Sequence, residues 1–461
     1  MNFEYRGGEL FWQAWPLSRL ADEFGTPLYV LSSKAAHESI KSFLEEFKAR
    51  RLPVRIHYSV KTNPVPGFLK ILKEEGLGVE VIFDHELEIS RLLGFKGKDI
   101  VVNGPSKTMK LLEKMKDIQP KMVTVESAGE FSRVKAIVEK SLTPLNIGIR
   151  MCPGLSLAKF KPTLNSSAKD SPYGFLPDSP ELWETLKAIG RSDNLRFVGF
   201  HMHLGSGIKD SRPYRKAFAI LEEVIKKAKL LGLQSQMIDI GGGFGVSSAP
   251  IMSISQLAKS VICKKHVCLE SNKESTLLKE VAESLERLLN RLRQEGCGIK
   301  EVLVEPGRIL SGPSQILILS VIETIERSNG QRFLICDGGA MSISPLLLTE
   351  YHKIIPLKLQ NSKLLNYTIF GNLPTSLDKL SSSISLTPVH AGDRLVLFDA
   401  GAYFVPMNNN FAGPRPAIFM IDGKDSGLIR RRETFEDLYQ RDLIFRKGKR
   451  NFSKQQQPAL N

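Results

Sequence analysis

The sequence predicts a (β/α)8 barrel followed by a β-rich domain. The first observation behind this is an eightfold alternation, between residues 54 and 305, of short apolar β-type runs with longer amphipathic stretches. The second is that the alternation stops after about residue 311. Runs such as ILILSVIETI, RFLICDG, LNYTIFG, RLVLFDAGAY and PAIFMID then follow with few helical stretches between them. The third is that glycines, histidines, a lysine and a glutamate crowd the turns where barrel strands end, the face on which such barrels carry function.

The eight expected strands are VRIHYSV (54–60), GVEVI (78–82), IVV (100–102), MVTV (122–125), NIGIRM (146–151), FVGFHMH (197–203), MIDIGG (237–242) and VLVE (302–305). Between them lie amphipathic segments such as HELEISRLL, AGEFSRVKAIVEK and YRKAFAILEEVIKKAKLL. A polar, Ser- and Lys-rich insertion at 246–275 interrupts the last unit. The expected organisation is an N-terminal segment, 1–32, whose LYVLS joins the β-domain; a barrel, 33–310; a C-terminal antiparallel β-domain, 311–445; and a basic tail, 446–461, too poor in apolar residues to fold.

Composition narrows the class. Hydrophobic residues make up 42% and charged residues 25% of the 461, as in soluble globular proteins. No apolar run of membrane-spanning length occurs, and the N-terminus lacks the basic-then-apolar order of a signal peptide. Five irregularly spaced cysteines argue for a reducing cytoplasm rather than a disulfide framework. Cys263, His266 and Cys268 lie close together but match no zinc spacing, so a polar surface segment is expected and no metal. The net charge of +15 is spread along the chain without a nucleic-acid motif, which disfavours a nucleic-acid partner.

Chemistry concentrates at four strand ends. The first strand runs into Tyr58-Ser59-Val60-Lys61-Thr62-Asn63-Pro64, where partial desolvation would lower the lysine pKa and make its amine nucleophilic. The sixth runs into His201-Met202-His203-Leu204-Gly205-Ser206, whose histidines could stack on a ring, bind metal or transfer protons. The seventh runs into Asp239-Ile240-Gly241-Gly242-Gly243-Phe244-Gly245, and the eighth into Glu305-Pro306-Gly307-Arg308. Glycine-rich turns at these two positions suit phosphate, because backbone N–H groups can converge without side-chain obstruction. An amine, an imidazole, a phosphate cradle and a carboxylate together suit pyridoxal 5'-phosphate.

With these motifs the chain resembles the fold-type III pyridoxal-phosphate decarboxylases, the diaminopimelate, ornithine and arginine decarboxylase family. The resemblance runs from about Phe24 to Pro416 through FGTPLYVLS, YSVKTNP, HMHLGSG, DIGGGF, EPGR and DAGAY. It implies an amino-acid decarboxylase with Lys61 as Schiff-base lysine and His203 stacked on the cofactor ring. It further implies Ser206, Gly241, Gly242, Gly243, Gly307, Arg308 and Tyr403 around the phosphate, and Glu305 at the pyridine nitrogen. A carboxylate there keeps that nitrogen protonated and strengthens the electron sink, which favours decarboxylation over racemisation. The resemblance also implies a homodimer whose C-terminal domains complete each other's active sites.

Two segments depart from the family. Its Gly-x-x-Cys-(Glu/Asp)-x-x-Asp segment, whose cysteine reprotonates the product from the partner subunit, reads Gly371-Asn372-Leu373-Pro374-Thr375-Ser376-Leu377-Asp378 here. Its Arg-Pro-x-x-Tyr segment, which grips substrate in diaminopimelate decarboxylases, reads Ser344-Pro345-Leu346-Leu347-Leu348. Ser344, Pro374 and Thr375 are therefore the expected substrate-side positions, with an atypical substrate. The competing readings are a non-catalytic relative that binds a partner protein, a single-domain cofactor carrier, and transaminase or racemase chemistry on the same cofactor. The retained cofactor set speaks against the first and the β-domain against the second.

Overall fold

The structure is a computed structural model that describes residues 3–139, 143–156, 164–246, 248–261, 276–411 and 413–443. The Cys263/His266/Cys268 cluster and the tail from 446 lie outside the described residues. Eight parallel strands close into a barrel: Val54–Ser59, Gly78–Val81, Ile100–Val102, Met122–Val125, Leu145–Arg150, Leu195–His201, Met237–Asp239 and Glu301–Val304. The ring closes where the eighth strand pairs with the first, Val302 opposite Val54. These segments are almost wholly buried because helices cover them outside and side chains fill them inside. Val101, Met122, Val198 and Leu303 form an apolar plug at the barrel centre.

The sixth strand ends at His201, two residues before its expected end. Its pairing with the fifth strand shifts register between Phe197 and Gly199. Gly205 and Ser206 pair instead with Asn165 and Leu164. His203 thus sits on a loop above the barrel.

The β-rich part is built on Gln315–Glu326. This strand pairs antiparallel with Leu28–Ser32, Arg332–Cys336 and Arg394–Leu397. The sheet is mixed rather than purely antiparallel. Leu28–Ser32 pairs in parallel with Ala417–Ile421, and Arg332–Cys336 with Leu365–Phe370. Parallel neighbours need long connections, and the chain supplies them, the whole barrel in the first case. The antiparallel expectation treated successive strands as hairpins, which these two pairs are not. Three short strands, Phe3–Arg6, Glu9–Trp12 and Trp15–Pro16, make a separate small sheet. Among the described residues no helix is long and apolar enough to cross a membrane.

Buried charge recurs around the barrel. Lys107 Nζ lies 3.0 Å from Glu130 Oε1, with both side chains at most 1% exposed. Lys107 also donates to the Gly104 carbonyl, and Glu130 accepts from Glu126 N–H. Removing one partner of such a pair typically costs about 3–5 kcal/mol, because the other is stranded without water. The pair clamps the turns after the third and fourth strands, which border the site.

Candidate active site

A cavity of about 260 Å³ opens at the C-terminal end of the barrel strands. Its lining includes Lys61, Glu80, Asn103, His201, His203, Ser206 and Glu305. Four of the expected residues, Lys61, His203, Ser206 and Glu305, therefore meet on one space although they come from three different strand ends.

Lys61 lies in a single 3-10 turn, Val60–Thr62, directly after the first strand. Its Nζ donates to Glu80 Oε2 at 2.9 Å and to Oε1 at 3.2 Å. Glu80 is buried and is fixed from its other side by Ser59 Oγ at 2.6 Å. The expected depression of the lysine pKa does not occur. Burial pushes it down, but the Glu80 carboxylate more than offsets this and holds the ammonium charged. The amine thus waits as an ion pair with Glu80 as its proton partner.

Glu305 follows the eighth strand and is 5% exposed. Burial opposes its charge, but His201 and Lys61 outweigh it, and the carboxyl stays well below the usual range. His201 Nε2 lies 3.4 Å from Glu305 Oε2, and Asn103 Nδ2 donates to Oε1 from across the barrel. Behind them Asp239 is fully buried. Burial first, and the neighbouring Glu305 second, push its carboxyl well above the usual range. His201, Asp239 and Glu305 present ligand atoms within 4.8 Å of one another. Glu305 is thus a buried, fixed negative charge at the cavity.

His203 accepts a hydrogen bond at Nδ1 from Gly242 N–H at 3.3 Å. Burial and then Arg150 press its pKa down to about 3, so the ring is neutral at any working pH. A neutral ring whose edge is tied to the backbone is suited to presenting its face to a flat ligand.

The other expected cofactor residues, Gly241, Gly242, Gly243, Gly307, Arg308 and Tyr403, do not line this cavity but stand in turns that adjoin its lysine and histidine. Gly243 has φ +88°, and a side chain there would run into the Gly205 carbonyl at 1.9 Å. Gly307 lies so close to Thr62 that a Cβ would sit 2.2 Å from its Oγ1. Gly241 N–H is bound by Asp239 Oδ1, and Gly242 O accepts from Tyr214 Oη. Tyr403 N–H donates to the Thr62 carbonyl, which seats the DAGAY turn beside Lys61. The Arg308 guanidinium lies over the Tyr403 ring at 4.9 Å, and its Nη1 pairs with Glu350 Oε2 at 2.8 Å.

The three expected substrate-side positions do not line this cavity of their own chain. Ser344 is completely buried, with its Oγ unpartnered. Pro374 and Thr375 stand on an outward loop shaped by buried Asp378, which accepts from Leu373 N–H and Met341 N–H.

Glu80, Asn103, Arg150 and Asp239 were not singled out by sequence reasoning. A usable signal existed. A charged or amide residue inside or just after a strand that must be buried on both faces points into the barrel, as Glu80 does in GVEVI.

The pocket fits pyridoxal phosphate on its own observations. His201 lines the cavity and its Nδ1 is buried without a hydrogen-bond partner, which is polar capacity left for a ligand. The carboxylate, amine, flat imidazole and glycine cradle match the cofactor's four functional parts. A barrel carrying this set defines a pyridoxal-phosphate enzyme.

Residues 35–312, more than half of the chain, match the family described as pyridoxal-dependent decarboxylase, pyridoxal binding domain, and the chain belongs to that family. The diaminopimelate decarboxylase of Aquifex aeolicus is 29% identical over 442 residues, 95% of this chain and 97% of the relative. That of Bacillus subtilis is 25% identical, over 93% of this chain and 94% of its own. The crystal structure of diaminopimelate decarboxylase from Methanocaldococcus jannaschii in complex with L-lysine superposes with a TM-score of 0.86 at 25% identity, covering 96% of this chain and 97% of that one. The protein is accordingly an amino-acid decarboxylase that uses pyridoxal 5'-phosphate.

Proposed function

We propose that the chain decarboxylates an α-amino acid at this barrel mouth, with Lys61 binding the cofactor's aldehyde carbon. The carrying observation is that Lys61 and the charged Glu305 share one cavity. The bound cofactor supplies an electron sink for the pair of electrons left when the bond from Cα to the carboxylate breaks. Glu305 would hold the cofactor at its pyridine nitrogen and keep that nitrogen protonated. The His203 ring would stack on the cofactor ring. Ser206, Gly241, Gly242, Gly243, Gly307, Arg308 and Tyr403 would form the phosphate end; with Arg308 paired to Glu350 and the Gly241 and Gly242 N–H groups already bonded, the Ser206 and Tyr403 hydroxyls and the Gly243 and Gly307 N–H groups would do most of the binding. Glu80 holds the Lys61 side chain in position through their ion pair.

The active unit is a homodimer. The loop Gly371–Asp378 is ordered by Asp378 yet turned outward, and its Leu377 is 55% exposed. A shaped loop with an exposed apolar residue and no role in its own barrel is suited to closing another chain's cavity. Light scattering should give about twice 51.5 kDa. A screen of amino acids for carbon dioxide release tests the activity directly. A monomer with full activity would refute the shared site, and a cofactor-loaded protein that releases no carbon dioxide from any amino acid would refute the decarboxylase reading.

Pro374 limits how cleanly the product forms. Proline has no side-chain proton to give, so the proton that replaces the carboxylate comes from water or a hydroxyl such as Thr375 or Ser376. Without a positioned acid at Pro374, some of these protons would end on the cofactor instead of the product, and the cofactor would be lost as its amine. Pro374→Cys should raise the rate of correct product formation by about 10²-fold, within the range for a positioned general acid. It should also reduce the amine by-product, followed by absorbance during turnover. Equal by-product yields in wild type and variant would count against this role of the loop.

A further inference from the structure

The barrel holds a proton source of its own. The hydroxyls that line the cavity are those of Ser166, Tyr173 and Ser206. Ser206 belongs to the phosphate end, and Ser166 Oγ donates to the His203 carbonyl at 3.2 Å. Tyr173 Oη has no hydrogen bond among the described residues. The cavity, at about 260 Å³, lies below the usual range for a ligand pocket, so no lining side chain is remote from what fills it. Lys61, which marks where the reacting Cα is joined, lines the same space.

The fold pins the Tyr173 ring over a cation. The Arg150 guanidinium lies 5.2 Å from the ring centroid. Arg150 ends the fifth strand, is 8% exposed and pairs with buried Glu126 at 2.8 Å, which fixes it in place. Phe175 N–H donates to the Arg150 carbonyl and Cys152 N–H to the Phe175 carbonyl, so the chain just after Tyr173 is sewn to the strand end. Gly174 between them has φ +88°, and a Cβ there would sit 2.8 Å from the Arg150 carbonyl oxygen, so this close approach needs glycine. On its other side Tyr173 N–H meets Ser171 Oγ at 3.4 Å, and that hydroxyl donates to the Ser166 carbonyl at 3.0 Å. Ser166 N–H is bonded in turn to the Leu204 carbonyl, next to His203. Tyr173 is 36% exposed, so its ring stands between the cavity and solvent.

Resting on the decarboxylase reading above, we propose that Tyr173 is the catalytic acid that stands in for the one missing at Pro374, giving its phenolic proton to the substrate Cα. The O–H bond breaks as a C–H bond forms on the electron pair left by carbon dioxide. The negative charge passes to the phenolate oxygen, where the Arg150 cation beneath the ring favours it. Water at the exposed edge then returns a proton to the oxygen. A phenol in general yields its proton less readily than a thiol, so a cysteine at Pro374 still improves on it.

The test is Tyr173→Phe in the cofactor-loaded protein, assayed in deuterium oxide. The substrate is whichever of the common L-amino acids, L-ornithine and meso-diaminopimelate releases carbon dioxide fastest. Phenylalanine keeps the ring over Arg150 and removes only the acid. Product formation should fall about 10²-fold, the scale of a positioned general acid. Wild type should place one deuterium on the reacting carbon with a single handedness, because a fixed donor reaches one face; NMR of the product coupled to a chiral reagent reads this. Tyr173→Phe should give both hands, and absorbance should show more turnovers ending with the cofactor as its amine. A folded Tyr173→Phe that keeps the wild-type rate overturns the proposal and leaves the decarboxylase reading standing. So does a slower variant whose product keeps one hand, since a merely structural role would act that way, and so does a wild type whose product carries both. A loaded protein that releases carbon dioxide from none of these amino acids overturns both readings.

Discussion

Lys61→Ala should lower carbon dioxide release on the order of 10⁴-fold or more, and borohydride should no longer fix the cofactor to the protein. The size follows from the residue's place. Lys61 is the only one of the cavity-lining residues named above with an amine, and losing a covalent nucleophile generally removes most of an enzyme's rate. Alanine also strands Glu80, a carboxylate 1% exposed whose remaining partner is Ser59 Oγ. The alanine variant therefore mixes lost chemistry with a destabilised barrel end. Lys61→Arg separates them, because a guanidinium keeps the ion pair with Glu80 but forms no bond to an aldehyde carbon. Both variants should lose activity alike, while the arginine variant melts close to wild type. Mass spectrometry of the borohydride-treated wild type should find the cofactor on the peptide containing Lys61. A modified peptide elsewhere, or an arginine variant that keeps its rate, would remove Lys61 from the mechanism.

The barrel was legible because buried parallel strands read as short, nearly continuous apolar runs, and Ile100–Val102 and Met122–Val125 have their expected ends. The sixth strand was not, because Gly199 and Gly205 let the chain change partners in a way that apolar pattern does not report. The mixed sheet was hidden for a similar reason. Which strands lie side by side depends on connections across the whole barrel, not on the strands themselves. In the site, residues set in unusual turns stood out, such as Lys61 and the glycines. Residues that act from inside a strand, Glu80 and Asp239, did not, since one charge in an apolar run reads locally as noise. The pairing of Arg308 with Glu350 was out of reach, because it joins two segments 42 residues apart in sequence through the packing of the β-rich part on the barrel mouth.

Glu305→Gln should lower kcat by about 10²–10³-fold with little change in amino-acid affinity, the usual scale for deleting one preorganised electrostatic contact. Glutamine is nearly the same shape and can still meet Asn103 and His201, so the cavity should survive. What it lacks is the fixed negative charge that keeps the pyridine nitrogen protonated. That charge matters only as electrons flow into the ring, so its loss belongs in kcat rather than in binding. The absorbance of the bound cofactor should become pH-dependent in the neutral range, where wild type shows no transition. Asp239 sets the floor of the effect. Burial and the neighbouring Glu305 charge both push its carboxyl up in wild type. Once glutamine removes that charge, Asp239 gives up its proton more readily and returns part of the negative field. Glu305→Gln combined with Asp239→Asn should therefore fall further than either change alone, by roughly another tenfold. A Glu305→Gln enzyme with undiminished kcat and an unaltered cofactor spectrum would mean that this carboxylate does not face the ring nitrogen, and the orientation assigned to the cofactor would have to be reversed.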